Sequence, residues 1–150
     1  MTRATKRAKV SVVVLDAGWT KALPGVERLV RQAARAAIGG VESLTVALAN
    51  DNHVRALNKR DRKQDKPTNV LSYPSGDRGF LGDVVLARQT VWREAKAQKK
   101  SLEDHVAHLV VHGALHLRGY DHETSDKDAD HMEALERRIL KRLGVADPYS

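Results

Sequence analysis

Histidines are concentrated in one stretch of this 150-residue chain, because five of the seven lie between positions 102 and 122. His112 and His116 are four residues apart, so in a helix their side chains stack one turn above the other. Both imidazoles can then reach one ion at about 2.0–2.1 Å. Gly119 follows, and a glycine there can end the helix and turn the chain back. The turn returns a third imidazole, His122, toward the same ion.

Three imidazole ligands predict a particular kind of metal centre. Three neutral nitrogens leave one tetrahedral position open, which is typical of a catalytic rather than a structural zinc site. The sequence therefore predicts one Zn²⁺ held by His112, His116 and His122, although nickel and cobalt also accept three imidazoles. His108 lies one turn before His112 and could form the pair instead. Because that choice leaves His116 unexplained, we interpret His108 as a residue that supports either the ligands or the fold.

The spacing of these histidines is that of a peptidase motif whose catalytic residue is absent. In the metzincin pattern HExxHxxGxxH, a glutamate next to the first histidine is the general base. Gly113 occupies that position here, which disfavours peptide hydrolysis by that mechanism. Asp121, next to the third ligand, either accepts an N–H of a ligating imidazole or stabilises the turn.

The segment HGALHLRGYDH at residues 112–122 resembles the signature of the YbeY family, bacterial single-strand-specific endoribonucleases of ribosomal RNA maturation. The segments LNKRDRKQDKPTNVLSYP (57–74) and LGDVVLA (81–87) are similar to family blocks in the same order. The resemblance spans nearly everything after the N-terminal tail. It implies a mixed β-sheet flanked by helices, a zinc ion held by the three histidines, and a basic groove that receives RNA.

The resemblance also implies a functional arginine and a set of partners. By register, the arginine is Arg62, and Asp61 stands where most members have an aromatic residue. The implied activity is zinc-dependent hydrolysis of single-stranded ribosomal RNA, in 16S 3′-end maturation and ribosome quality control. The implied partners are the small ribosomal subunit and assembly factors such as the GTPase Era. Neither a membrane nor DNA is expected.

Arg62 has a chemical role to fill beside a metal ion. A guanidinium can clamp a phosphate with two N–H groups and offset the charge that develops on its oxygens during attack. Taken without the resemblance, Arg62 is one of five solvated bases between residues 58 and 66. The attacking group is either water activated by the metal or a ribose 2′-OH, and the sequence leaves both open.

Two other functions fit parts of the pattern. The first is a metal hydrolase of peptides or small molecules. The second is a non-catalytic ribosome-assembly module whose metal ion is structural. The missing glutamate at Gly113 speaks against the peptidase. The assembly module predicts that chelation unfolds the protein and that Arg62→Ala leaves RNA cleavage unchanged.

Composition agrees with a phosphate-bearing partner. Lys and Arg outnumber Asp and Glu by 26 to 19, a formal net charge of +7, which favours acidic surfaces and nucleic acids. The chain has no cysteine, so only histidines and carboxylates remain as strong metal ligands. The N-terminal apolar run is too short for a membrane span or a signal peptide, which predicts a cytoplasmic protein.

The elements that position these residues are predicted from hydrophobic periodicity. Residues 1–9 are predicted to be a basic flexible tail and residues 10–150 a single domain, which by the resemblance is a metal-dependent endoribonuclease domain. Strands are predicted at 10–15, 44–49, 70–73 and 80–87, the first central and the last two paired as a hairpin. Helices are predicted at 24–38, after 50, at 88–100, from 101 and at 124–143, with an exposed basic loop at 58–66. The predicted fold class is α+β: a small mixed sheet of about four strands, flanked by about five helices, with the metal site at the end of a long central helix.

Overall fold

Four β-strands and six α-helices form the parts of the chain that the computed structural model describes, residues 9–40, 42–62, 68–120 and 125–149. The strands are β1 (Val10–Val14), β2 (Ser43–Ala49), β3 (Val70–Pro74) and β4 (Phe80–Ala87). The helices are α1 (Gly18–Ala22), α2 (Val26–Ile38), α3 (Asp51–Arg62), α4 (Arg88–Ala97), α5 (Leu102–Leu117) and α6 (Asp126–Arg142). Of the predicted tail at 1–9, only Lys9 lies within the described ranges.

The four strands form one mixed sheet in the order β1-β2-β4-β3. β1, β2 and β4 are parallel, and β3 runs antiparallel to β4. Parallel neighbours need crossover connections. Helices α1 and α2 form the connection from β1 to β2, and α3 together with β3 forms the connection from β2 to β4. The antiparallel pair confirms the predicted hairpin, and the sheet with its helices confirms the α+β fold class.

Helix α5 lies at the centre of the main core, between the sheet and helices α2, α4 and α6. Ser101 caps it by accepting the N–H of Asp104 at 3.1 Å, as predicted. Because neighbours cover the helix on most sides, Val106, Val110 and Ala114 are fully buried. Its histidines are therefore polar side chains on a largely buried helix. Within the described ranges, no helix has both the length and the apolar character that a membrane span requires.

Strand β1 lies at an edge of the sheet, so the prediction that it is central is wrong. Val10 is buried in the core, but Val13 and Leu15 are 43% and 51% exposed. A run of β-branched residues reports that a segment fits a pleated sheet, and it does not report the place of the strand within that sheet. Helix α2 packs on one face of β1, and Val13 and Leu15 belong to the other face.

Helix α3 continues to Arg62, so the prediction of an exposed loop from residue 58 is wrong as far as residue 62. Residues 63–66 of that loop lie outside the described residues. Val54 and Leu57 pack in a small core beneath the sheet, and Asn58 is only 3% exposed. These three residues share one helical face. Their burial extends the helix into a segment whose composition is strongly basic.

The short helix α1 is absent from the predicted elements. Its Trp19 is fully buried, and the indole Nε1 donates to the carbonyl of Ala49 at 2.8 Å. A five-residue helix has too little periodicity to be recognised from sequence. The tryptophan that anchors it packs against Trp92 of α4 at 4.9 Å between ring centres.

Candidate metal centre

His112 and His116 lie one turn apart in the C-terminal half of α5, and both side chains are half-buried. The helix ends at Leu117, and Gly119 adopts a φ of +102°, which favours glycine. The third predicted ligand, His122, lies outside the described residues. Inside them, no three side chains of the metal-binding types form a group that could hold an ion. The structure thus places two of the three predicted ligands on one helical face.

A buried carboxylate from α6 lies against these histidines. Glu136 is 1% exposed, and its Oε1 lies 3.0 Å from His112 Nδ1 and 3.1 Å from His108 Nε2. The hydroxyl of Tyr149 donates to Oε2 at 2.9 Å. A carboxylate without partners would be very costly at this depth. Three hydrogen bonds from two neighbouring elements offset that cost.

The ionisation of Glu136 determines which nitrogen of His112 carries the proton. Burial acts to raise the pKa of Glu136, but the hydrogen bonds and charges of His108 and His112 outweigh it and lower the pKa to about 2. An ionised carboxylate only accepts hydrogen bonds. His112 therefore donates through Nδ1, so Nε2 is the nitrogen with which this ring would bind a metal. Histidines that bind metals are commonly oriented in this way.

The four histidines of α5 have different surroundings. His105 is 3% exposed, and its Nε2 lies 2.9 Å from Glu94 Oε1, which also accepts from Asn69 Nδ2 at 3.0 Å. Burial lowers the pKa of His105, although Glu94 acts in the opposite direction. His105 therefore links α5 to α4, and the same carboxylate of Glu94 holds Asn69, the residue before β3. His108 shares Glu136 with His112, so it contacts the group that orients a predicted ligand.

Arg62 lies at the C-terminal end of α3 and reaches across to β3. Its Nη2 donates to the carbonyl oxygen of Ser72 at 2.8 Å, and its guanidinium carbon lies 5.5 Å from the centre of the Tyr73 ring. The hydroxyl of Ser72 in turn lies 3.4 Å from the carbonyl oxygen of Gly113. Gly113 directly follows His112. One residue of β3 therefore contacts both Arg62 and the turn of α5 that carries a predicted ligand.

Gly113 marks a close approach between α5 and the sheet. A Cβ atom at this position would lie 2.9 Å from Val84 Cγ1 and 3.3 Å from Ser72 Oγ. Val84 is fully buried, so its methyl groups have little room to move. The glutamate that a metzincin carries at this position would not fit here. Packing therefore accounts for the lack of a protease-type base.

We expect Gly113→Ala to destabilise the protein by about 1–3 kcal/mol because the added methyl overpacks the contact with Val84. In an exposed helix the same change would stabilise by about 1 kcal/mol through helix propensity, so the sign of the effect is diagnostic. Urea unfolding followed by circular dichroism measures it. Adding Val84→Ala should make the effect of Gly113→Ala smaller or favourable. An unchanged penalty in that background would contradict the packing explanation.

Comparison with known proteins identifies the family. Residues 6–144 match the family described as Endoribonuclease YbeY. Endoribonuclease YbeY of Azorhizobium caulinodans is 45% identical over 155 residues, which cover 95% of this chain and 96% of that protein. The Chelativorans sp. protein of the same name is 51% identical over 133 residues, 83% of this chain and 81% of the relative. The chain belongs to the YbeY family.

A solved structure supports the same fold. The solution structure of TM1509 from Thermotoga maritima matches this chain with a TM-score of 0.59 at 25% identity, covering 89% of this chain and 91% of that one. Membership of the YbeY family confirms the resemblance seen in the sequence. It also assigns the chain to the endoribonucleases, a class of hydrolases.

The aromatic neighbour of Arg62 in this member of the YbeY family lies on strand β3 and not on helix α3. Asp61, which replaces the expected aromatic residue, forms two hydrogen bonds with Arg60 at 2.6 and 2.8 Å. The same bonds hold the pKa of Asp61 below its usual value. The ring that lies against the Arg62 guanidinium belongs to Tyr73 of β3. The guanidinium of Arg62 therefore has an aromatic contact although residue 61 is an aspartate.

Glu136 is the residue at this centre that the sequence analysis did not single out. A signal for it exists, because Glu136 lies four residues after Met132 and four before Leu140, both fully buried. An acidic residue within an apolar stripe predicts a buried carboxylate that needs partners. The histidines of α5 are the partners in this YbeY-family chain.

Proposed function

We propose that this chain is a zinc-dependent endoribonuclease that cleaves single-stranded ribosomal RNA, with one Zn²⁺ held by His112, His116 and His122. One observation carries most of the proposal: in a member of an endoribonuclease family, a buried carboxylate orients one histidine of an i, i+4 pair. Glu136 accepts a hydrogen bond from the Nδ1–H of His112, so Nε2 is the nitrogen that would bind a metal.

The side chains suit the chemistry of zinc. Imidazole nitrogens are preferred ligands of Zn²⁺, and a chain without cysteine offers few competing donors. The three imidazoles would hold Zn²⁺, which would supply Lewis-acid polarisation and make water at the site more acidic. The residues of this chain then have to orient the ligands and to hold the phosphate. Glu136 orients the ligand His112, and its burial keeps bulk water away from the hydrogen bond between them.

Arg62 is proposed to hold the scissile phosphate. Its bond to Ser72 and its contact with Tyr73 fix the direction of the side chain. A guanidinium has five N–H donors, so one bond to a carbonyl leaves capacity for two phosphate oxygens. Negative charge increases on those oxygens as the phosphodiester is attacked, and a fixed cation stabilises that change.

Substrate binding is proposed to be mainly electrostatic. The net charge of +7 and the aromatic content of 4% favour contacts to phosphates over stacking on bases. The proposal includes 16S 3′-end maturation and ribosome quality control in the cytoplasm, with the small ribosomal subunit and assembly factors such as the GTPase Era as partners. Family membership and the basic charge support this assignment. Residues 10–150 are proposed as the catalytic domain, preceded by a basic tail at 1–9.

Cleavage by an arginine variant tests the proposal directly. We expect Arg62→Ala to lower kcat on single-stranded ribosomal RNA by about 100- to 1000-fold, because it removes a donor to the transition state. Arg62→Lys should recover only part of this loss, since an ammonium lacks the planar fork. The measurement is single-turnover cleavage of end-labelled RNA by the zinc-loaded protein in low salt.

Arg60→Ala is the matched control for this experiment. It removes the same charge two residues earlier from a guanidinium that is bonded to Asp61, and kcat should change by less than about threefold. Equal losses of kcat in the two variants would contradict the proposed role, because Arg62 would then contribute no more than any other nearby positive charge. A folded, zinc-loaded wild-type protein that cleaves no RNA would favour the assembly module instead.

A further inference from the structure

The C-terminal segment, residues 145–149, folds back over helices α5 and α6. Arg137 Nε donates to Asp147 Oδ1 at 3.2 Å, and the same oxygen accepts the backbone N–H of Tyr149 at 2.8 Å. Lys100 Nζ donates to the carbonyl of Pro148 at 3.3 Å. The guanidinium carbon of Arg137 lies 5.1 Å from the centre of the Tyr149 ring. These contacts fix the position of the tyrosine although it is 37% exposed.

The fixed tyrosine completes the hydrogen bonding of Glu136. Its hydroxyl donates to Oε2 at 2.9 Å, whereas His108 and His112 bond Oε1. The last torsion of a glutamate side chain is broad, so donors on one oxygen alone leave the plane of the carboxylate poorly defined. Donors on both oxygens define it. The edge of the Tyr149 ring also packs against His108, with ring centres 5.5 Å apart at 82°.

We infer that Tyr149 is a positioning residue of the metal centre, which acts through Glu136 on the orientation of the His112 imidazole. The inference rests on the proposed function insofar as His112 is a metal ligand. The hydroxyl contacts neither substrate nor metal, and it holds the carboxylate in the plane in which Oε1 meets His112 Nδ1. The C-terminal segment thus becomes part of the site, although Tyr149 lies 37 positions beyond His112 in the sequence.

Tyr149→Phe tests this inference because it removes the hydroxyl and retains the ring that contacts Arg137 and His108. Zinc affinity is measured on the full-length protein by competition with a chromophoric chelator. We expect affinity to fall by about 3- to 10-fold for Tyr149→Phe and by about 10- to 100-fold for Glu136→Gln. Thr90→Val is the matched control, because the Thr90 hydroxyl donates to a different carboxylate, Asp51 Oδ2, at 2.9 Å, and its zinc affinity should equal that of the wild type.

The double variant distinguishes action through Glu136 from a general loosening of the C-terminal segment. If the hydroxyl acts through the carboxylate, Tyr149→Phe should cost little further affinity once Glu136→Gln is present. Fully additive losses would overturn the inference. Unchanged zinc affinity in Tyr149→Phe would overturn it as well.

A metal-independent measurement separates this inference from the proposed function. In the zinc-free protein labelled with ¹⁵N-histidine, the Nδ1 proton of His112 gives an NMR resonance that reports its bond to Glu136. We expect Tyr149→Phe to shift this resonance, and an unshifted resonance would overturn the inference. If the wild-type protein binds no zinc, the proposed function fails, and the resonance alone then decides whether Tyr149 orients the imidazole.

Discussion

Alanine at position 116 is expected to abolish zinc binding and to lower RNA cleavage at least about 1000-fold, with the fold retained. His116 is half-buried near the end of α5, so its truncation removes little core packing. Two imidazoles bind zinc far more weakly than three, and the lost ligand also changes the geometry of the site. Metal content after dialysis and cleavage of end-labelled RNA measure the two effects, and circular dichroism reports the fold.

Two further histidines make this experiment specific. His53 is an exposed histidine near the start of α3, and His53→Ala should bind zinc and cleave RNA like the wild type. His108→Ala removes one donor to Glu136 and should weaken zinc binding by about 10-fold without abolishing it. The opposite result, zinc retained by His116→Ala and lost by His108→Ala, would place the ion one turn earlier on the helix.

We expect His116 rather than His108 to be the second ligand, because the Nε2 of His108 is already bonded to a carboxylate. His108 is bonded to Glu136 through Nε2, and its Nδ1 is buried among protein atoms. Neither nitrogen is therefore well placed for an ion. The sequence could raise the choice between His108 and His116 from spacing alone. Choosing on physical grounds required the position of a carboxylate on another helix.

Local spacing predicts the parts of the site that lie on one element, and tertiary packing determines the rest. The pair His112 and His116 follows from helical geometry, and Gly119 follows from the need to end the helix. Glu136 comes 24 residues after His112, so their contact depends on how α5 and α6 pack. The contact of Arg62 with β3 likewise depends on α3 crossing the sheet.

The same division holds for the fold. The hairpin of β3 and β4 was predictable because turn residues separate two β-rich runs. The edge position of β1 was not, since Val10 to Val14 would suit a central strand equally well. The extension of α3 to Arg62 depends on burial of Asn58, a polar residue whose contribution to a helical face is invisible in a hydrophobic pattern.

Gly82 is the glycine whose replacement is expected to cost the most stability. Its φ is +141°, and a Cβ atom would lie 2.1 Å from the carbonyl oxygen of Tyr73 and 3.0 Å from Pro74 Cα. It follows a register shift in which Ser43 pairs with Phe80 and Leu44 with Gly82. Leu81 lies between the two pairs and has no partner in β2. It is the extra residue of a β-bulge, which increases the local twist. Backbone atoms of a paired strand cannot move away as a flexible side chain can.

We expect Gly82→Ala to destabilise the protein by about 4 kcal/mol or more, because it combines a backbone clash with a strained φ. Typical domains unfold at a cost of only about 5–15 kcal/mol, so the variant should be largely unfolded at moderate temperature. Thermal and urea unfolding measure the loss. The Gly82→Ala substitution would also displace Tyr73 and thereby disturb its contact with Arg62.

Gly79→Ala separates the two contributions. Gly79 has a φ of +83°, but no atom lies within 4 Å of the Cβ position, so only conformational strain of about 1–2 kcal/mol is expected. The difference between the two variants therefore measures the cost of the close approach between β3 and β4. Equal losses would mean that the strands separate easily at the bulge. In that case the β3 residues beside Arg62 would be held by the contact with α5 through Ser72 and Gly113, and Gly113→Ala rather than Gly82→Ala would disturb the arginine.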